Sequence, residues 1–61
     1  MSNWIQASHA TPPHDGKITF ITKDVSHVFD GIYRDGEFIA VENELPVMTF
    51  SHSEVQAWVH R

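Results

Sequence analysis

The sequence predicts a small, mainly β single domain over residues 1–61, an antiparallel meander or partly open barrel of four to five strands. Short runs rich in β-branched and aromatic residues recur along the chain, and turn-forming dipeptides separate them. A chain of 61 residues suffices for only one domain. An α+β variant with a short C-terminal helix stays open, because the last residues also fit a helix.

The strongest local signal is Asp35-Gly36, which lies between two apolar, β-prone runs. A type I′ turn needs a positive φ at both central residues, and Asp-Gly suits it. The register that follows pairs Arg34 with Glu37, Tyr33 with Phe38, Ile32 with Ile39, Gly31 with Ala40 and Asp30 with Val41. The first pair joins opposite charges and the second joins two aromatic rings. At Gly31 we expect a bulge or a close backbone approach.

Further segments read as strands on either side of this hairpin. The predicted strands are Lys17–Thr22, residues 25–33, residues 38–42 and residues 47–50. Pro12-Pro13 excludes a helix before the Asp15-Gly16 turn. Residues 43–46 are predicted as a loop, because Pro46 cannot donate a hydrogen bond to a ladder.

The last residues fit two structures. Ser51 or Ser53 could cap a short helix, in which Val55, Trp58 and Val59 would have helical spacing. Alternation could equally make Val55–His60 a last strand, and periodicity does not decide between the two in so short a run.

The expected core draws on the whole chain, because a domain of this size buries little surface. Its predicted members are Trp4, Ile18, Phe20, Val28, either Ile32 or Tyr33, Phe38, Phe50, Val55 and Trp58. The chain has no cysteine, which excludes a disulfide or a thiolate zinc site as a source of stability. Aromatic packing, self-association or a partner must supply it instead.

Composition and motifs exclude several classes of function. A net charge of −4 gives no electrostatic footprint for nucleic acid. No apolar run approaches the ~20 residues that span a bilayer, and the start lacks a signal-peptide pattern, so we expect a cytoplasmic protein without a membrane partner. A nucleophile elbow, a phosphate loop and a zinc-protease motif are absent. We therefore expect no enzyme and no cofactor.

Five acidic residues gather around the central hairpin, with Arg34 as the one basic residue among them. They are Asp30, Asp35, Glu37, Glu42 and Glu44. Such residues usually form a solvated face, which also discourages strand edges from aggregating. As a candidate binding surface, the acidic hairpin would dock a basic partner or mimic nucleic acid.

Five histidines in 61 residues raise metal binding as an alternative. Four residues lie between His9 and His14, which is within the H-x3-5-H spacing of zinc motifs. A second close pair is lacking in the sequence. We therefore expect surface imidazoles and assign no metal.

Several short motifs are spread over most of the chain: Trp4-Ile5, Pro12-Pro13, Gly16, Gly31-x-Tyr33, Gly36-x-Phe38 and Val55-x-x-Trp58. This pattern resembles the small phage- and prophage-associated family catalogued as domain of unknown function 551. Thr11 stands where that family carries Leu, and the family's closing Met-Pro-Leu-Pro is absent here. The resemblance implies a phage or prophage accessory protein with a compact β-rich fold. Since the family has no established activity, it assigns no functional residue.

Three functions of different classes follow. The favoured function is a non-enzymatic protein-interaction module that acts on a host protein through an exposed strand edge or the acidic face. The alternative is a self-assembling structural or accessory protein whose small core is completed by homodimerisation. The third is a histidine-dependent metal-binding domain at His9 and His14.

Overall fold

In a computed structural model, which describes residues 3–24 and 27–61, six strands form one antiparallel sheet. They are β1 (Ile5–Gln6), β2 (Lys17–Thr22), β3 (Val28–Arg34), β4 (Glu37–Glu42), β5 (Leu45–Ser51) and β6 (Val55–His60). The spatial order is β1-β6-β2-β3-β4-β5. Strands β2 to β5 form a meander, and β6 returns to lie between β1 and β2. The predicted β-rich meander is confirmed, with one strand more than expected.

The central hairpin forms four of its five predicted pairs, and the pair of Asp30 with Val41 is not part of the ladder. Its pairs are Gly31 with Ala40, Ile32 with Ile39, Tyr33 with Phe38 and Arg34 with Glu37. Asp35 and Gly36 have φ values of 52° and 79°, as a type I′ turn requires. A Cβ on Gly31 would lie 1.9 Å from the carbonyl oxygen of Ile39. The close backbone approach predicted at this glycine is therefore confirmed.

The loop predicted over residues 43–46 is shorter in the structure. Asn43 and Glu44 alone form the turn, with φ values of 54° and 65°, and Leu45 and Pro46 already belong to β5. The prediction was wrong because β5 lies at the edge of the sheet, where a proline does not interrupt a ladder on both sides. The predicted start of the first hairpin arm, at Val25, lies outside the described residues.

The tail contains a single 3-10 turn followed by a strand. The turn covers His52–Glu54, and the backbone N–H of Ser51 donates to Glu54 Oε1 at 2.9 Å. The predicted cap at Ser51 is thus present, but the helix ends where β6 begins. Pairing with β1 on one side and β2 on the other holds Val55–His60 as a strand, so the strand alternative is confirmed.

The core lies on one side of the sheet, here called the inner face, which carries Phe20 and Trp58. Five predicted core residues are buried: Ile18, Phe20, Phe38, Val55 and Trp58. The Phe20 ring centroid lies 5.2 Å from that of Phe38 and 5.9 Å from that of Phe50. Phe50 and Tyr33 are partly buried and pack against this cluster, which also contains Ala7 and Ala40.

Two predicted core residues are wrong. Val28 is 50% exposed, because Phe29 pairs with Phe20 and alternation then turns Val28 to the opposite face. The same alternation selects Tyr33 rather than Ile32 for the inner face. Trp4 is 39% exposed, because it precedes β1, the terminal strand of the described sheet.

The N-terminal segment (residues 7–16) covers the inner face. His52 Nε2 lies 2.7 Å from the carbonyl oxygen of Ala7, and the Asp15 backbone N–H donates to the carbonyl oxygen of Tyr33 at 2.8 Å. Pro12 is buried within this segment. The opposite side of the sheet, the outer face, has no second layer of described residues and is where a binding surface must be sought.

Candidate interaction surface

A cleft of about 820 Å3 opens on the outer face, and we call it the outer-face cleft. Its floor is apolar and consists of Ile32, Ile39, Val41 and Pro46. The first two are cross-strand neighbours in the central hairpin, and Val41 pairs with Pro46 of β5. The three branched residues are only half-buried. An apolar strip of this kind on an uncovered face is a typical mark of a binding surface.

One side of the cleft is basic. Three of the chain's four Lys and Arg residues line it: Lys17, Arg34 and Arg61. Lys17 stands opposite Ile32 in the β2–β3 pair, and the backbone N–H of Arg61 donates to the carbonyl oxygen of Lys17 at 3.2 Å. Strand pairing thus gathers cations from distant parts of an acidic chain.

The three cations differ in how far they are neutralised. Arg34 Nε donates to Asp15 Oδ1 at 2.7 Å. Arg61 Nη1 lies 3.9 Å from Asp30 Oδ2. Lys17 forms no ion pair with any residue that the structure describes. Its charge is therefore the one most available to a ligand.

The other end of the cleft is acidic. Glu42 and Glu44 flank Asn43 at the β4–β5 turn, and all three line the cleft. This turn and the Asp35-Gly36 turn lie at opposite ends of β4, so the acidic end is remote from Arg34. The cleft is consequently polarised, with positive charge on one side of the apolar floor and negative charge on the other.

Asp30 lies between the two ends and is already engaged. The Thr19 hydroxyl donates to Asp30 Oδ1 at 2.7 Å, and Arg61 approaches its other oxygen. This carboxylate holds its neighbours in place and partly offsets the nearby positive charge. The unbalanced acidic charge of the cleft therefore lies with Glu42 and Glu44.

The structure divides the acidic residues that the sequence predicted as a binding surface. Asp30, Glu42 and Glu44 line the outer-face cleft, whereas Asp35 and Glu37 lie at the hairpin turn, outside its lining. The hairpin does not present an uninterrupted acidic face, because the basic residues of the cleft are interleaved with it. Alternation within β2 predicts only that Lys17 shares a face with Thr19, and no sequence signal shows that Arg61 lies beside Lys17.

An exposed strand edge was also predicted as a binding surface. The described sheet ends at β1 on one side and at β5 on the other, and β5, with seven residues against two, is the longer edge strand. The two-residue turn makes Arg34 and Glu37 a hydrogen-bonded pair, so the backbone of Phe38 faces β5. Phe38 pairs with Phe50, and the neighbouring Thr49 and Ser51 therefore face outward.

This outer edge offers few backbone donors. The Ser51 N–H already donates to Glu54, and Pro46 has none. The Thr49 N–H is the remaining outward donor in the second half of β5. Addition of a long strand by a partner needs a row of free donors and acceptors, so this edge suits it poorly.

The same strand nevertheless exposes apolar side chains. Leu45 is 65% exposed, and Val47 and Met48 are each about half exposed. No charged residue lies within Leu45–Ser51, although edge strands commonly carry charges that prevent association. The edge of β5 is thus a second apolar surface, separate from the floor of the cleft except at Pro46.

The histidine pair considered for metal does not form a cluster with other ligands. His14 Nε2 lies 3.4 Å from Asp15 Oδ2, and His9 is exposed. Over residues 3–24 and 27–61, no three His, Cys, Asp or Glu side chains are grouped so that they could hold a metal ion.

The described part of the chain also has no helix long and apolar enough to cross a membrane. Comparisons with protein-family models, with curated proteins and with solved structures each found no match to this chain. The resemblance to domain of unknown function 551 therefore stays a prediction from the sequence.

Proposed function

We propose that this protein is a non-enzymatic interaction module that binds a segment of a partner protein in the outer-face cleft. The observation that carries the proposal is the half-buried apolar floor of Ile32, Ile39 and Val41, enclosed by charges of both signs. An apolar centre within a polar, charged rim is the usual anatomy of a protein interface. A sheet face without a second layer gives a partner direct access to this floor.

The shape of the cleft suits an extended segment. Its floor follows β3 and β4, and β3 has seven residues, so the hairpin is roughly 23 Å long at ~3.3 Å per residue. An extended peptide could lie along it and place every second side chain on the floor. The outer edge of β5, with few free donors, makes recognition through side chains more favourable than recognition through added strand pairing.

The biological setting belongs to the same proposal. The motifs that resemble a phage and prophage family support an accessory role in which the partner is a host protein. A cytoplasmic location, predicted from the sequence, is consistent with that role. Neither statement is needed for the binding test that follows.

A displayed library of random peptides about twelve residues long provides the test. Peptides would be selected on the wild-type protein and then measured on Ile39→Lys, which places a charge in the floor. Met48→Lys is the matched control, since it puts the same charge on an exposed apolar residue of β5 outside the cleft. Circular dichroism and thermal melting would establish that both variants are folded.

We expect the selected peptides to lose at least tenfold in affinity for Ile39→Lys and to keep their affinity for Met48→Lys. Backbone NMR shifts on titration should concentrate at Ile32, Ile39 and Val41. Binding that is indifferent to Ile39→Lys, or a selection that enriches no peptide, would contradict the proposed function.

A second candidate function, self-assembly, is favoured by the exposed apolar edge of β5. Leu45, Val47 and Met48 together present a surface that a second copy could cover. Sedimentation and thermal melting over about a hundredfold range of concentration test it. Both the mass and the melting temperature depend on concentration when the dimer is the stable state. A dimer that Met48→Lys dissociates supports self-assembly, and a monomer at every concentration rules it out.

A further inference from the structure

We infer that the outer-face cleft selects a segment of mixed charge, with an acidic residue at its Lys17 side and a basic residue at its Glu42 and Glu44 end. Apolar residues would lie between these two charges, on Ile32 and Ile39. The inference rests on the proposed function and specifies the chemistry of the partner. It predicts that segments with the same charge at both ends bind less well.

Ion pairs within the cleft neutralise two of its three cations. Arg34 is paired with Asp15, and Arg61 lies near Asp30. These contacts leave Lys17 as the cation without an ion pair among the described residues, while the surplus acidic charge lies at the β4–β5 turn. A ligand would therefore meet a positive charge on one side and a negative charge on the other.

The sheet sets the distance between the Lys17 charge and the Glu42 charge. Lys17 is level with Ile32, and therefore with Ile39 on β4. Glu42 is three residues farther along β4, roughly 10 Å, and lies two strands away, roughly 10 Å across the sheet. The diagonal of roughly 14 Å corresponds to about four extended residues. The preferred segment has opposite charges about four positions apart.

The two charged ends of the cleft also disfavour segments with the same charge at both ends. A segment with two acidic ends would place one carboxylate against Glu42 and Glu44, and a segment with two basic ends would place an ammonium against Lys17. Like charges brought together at an interface disfavour the wrong partner. A mixed segment avoids both contacts when it binds in the direction that places its acidic residue at Lys17 and its basic residue at Glu42 and Glu44.

Three synthetic peptides that share the same apolar centre and differ only in their two end residues would test the inference. The first has one acidic and one basic end, the second has two acidic ends, and the third has two basic ends. Affinities would be measured for the wild type, Lys17→Glu and Glu44→Lys at an ionic strength of about 10 mM and again at about 150 mM. Lys23→Glu is the control for the first variant. Asp35→Lys is the control for the second, because Asp35 also has a positive φ and lies outside the cleft lining.

We expect the wild type to prefer the mixed peptide by about threefold to fivefold at low salt, as for partly exposed ion pairs. Lys17→Glu should shift the preference to the doubly basic peptide, and Glu44→Lys should shift it towards the doubly acidic one. The two controls should keep the wild-type order. Each preference should decrease at the higher ionic strength.

The outcomes separate this inference from the proposed function. If all three peptides bind equally, or the cleft variants leave the order unchanged, while Ile39→Lys still abolishes binding, the charge selection is refuted and the function stands. If no peptide of any charge pattern binds the wild type, both are refuted.

Discussion

The indole N–H of Trp58 donates to the carbonyl oxygen of Ala10 at 3.0 Å, across 48 positions of sequence. This bond joins β6 to the N-terminal segment that covers the inner face. His52 makes a second side-chain attachment, to Ala7. A segment that contains Pro12-Pro13 cannot join the sheet through a regular ladder, so these side chains hold it together with isolated backbone bonds such as that from the Asp15 N–H to the Tyr33 carbonyl oxygen.

Trp58→Phe should therefore loosen the N-terminal segment selectively. The ring still fills most of the site, whereas the bond to Ala10 is lost, so we expect the free energy of unfolding to fall by about 1–2 kcal/mol. Hydrogen exchange measured by NMR should accelerate at residues 8–11 more than in β3 and β4. Equal acceleration throughout the chain would contradict a local attachment role.

Gly31→Ala should be among the most destabilising single-methyl additions in this protein. The new Cβ would lie 1.9 Å from the Ile39 carbonyl oxygen, so the β3–β4 backbones must separate. We expect a loss of about 3 kcal/mol in urea unfolding. Gly36→Ala is the control, because nothing lies within 4 Å of its added Cβ and only its positive φ opposes the change, by about 1 kcal/mol. Similar losses for both variants would argue against the close approach.

Glu44→Gly should stabilise the fold. Glu44 has a φ of 65°, a conformation that is unfavourable for a residue with a side chain by about 1 kcal/mol and that glycine adopts freely. Glu42→Gly provides the opposite case, since Glu42 lies in β4 and glycine weakens strands by about 0.5–1 kcal/mol. Thermal melting should rise for the first variant and fall for the second. A fall for both would mean that the turn tolerates Glu44 without strain.

Thr22→Val should also stabilise the protein. Thr22 is 3% exposed, and its hydroxyl has no hydrogen-bond partner among the described residues. Replacing it with an isosteric methyl group removes an unsatisfied polar group, which we expect to add about 1 kcal/mol. Thr19→Val removes a hydroxyl that donates to Asp30 and should lower stability by about 1 kcal/mol. Denaturant unfolding of the two variants measures both changes in the free energy of unfolding. A lower stability of Thr22→Val would indicate that the Thr22 hydroxyl has a hydrogen-bond partner.

Local signals in the sequence were sufficient for the hairpin and its register. Asp35-Gly36 fixes a two-residue turn, and the turn fixes the four pairs from Arg34 and Glu37 to Gly31 and Ala40. The face of the sheet on which each side chain of β3 lies was harder to predict. Val28 and Phe29 are both apolar, and only the pairing of β3 with β2 decides which of them faces the core. The assignment of Pro46 to a loop failed for a related reason, since its tolerance depends on β5 being an edge strand.

The candidate site depends still more on distant pairing. Lys17 and Arg61 are far apart in sequence, and they reach one cleft because β6 lies beside β2. Periodicity places side chains on a face but does not tell which strands become neighbours. The acidic end, which comes from a single hairpin turn, was accordingly visible in the sequence, while the basic side was not.

Strand order also has a consequence for the kinetics of folding. Neighbours in the β2–β5 meander are consecutive in sequence, so their pairing closes only short loops at a small cost in entropy. β1 pairs only with β6 in the described sheet, and the whole meander separates these two strands. Closure of this long-range contact is therefore the step expected to limit the folding rate.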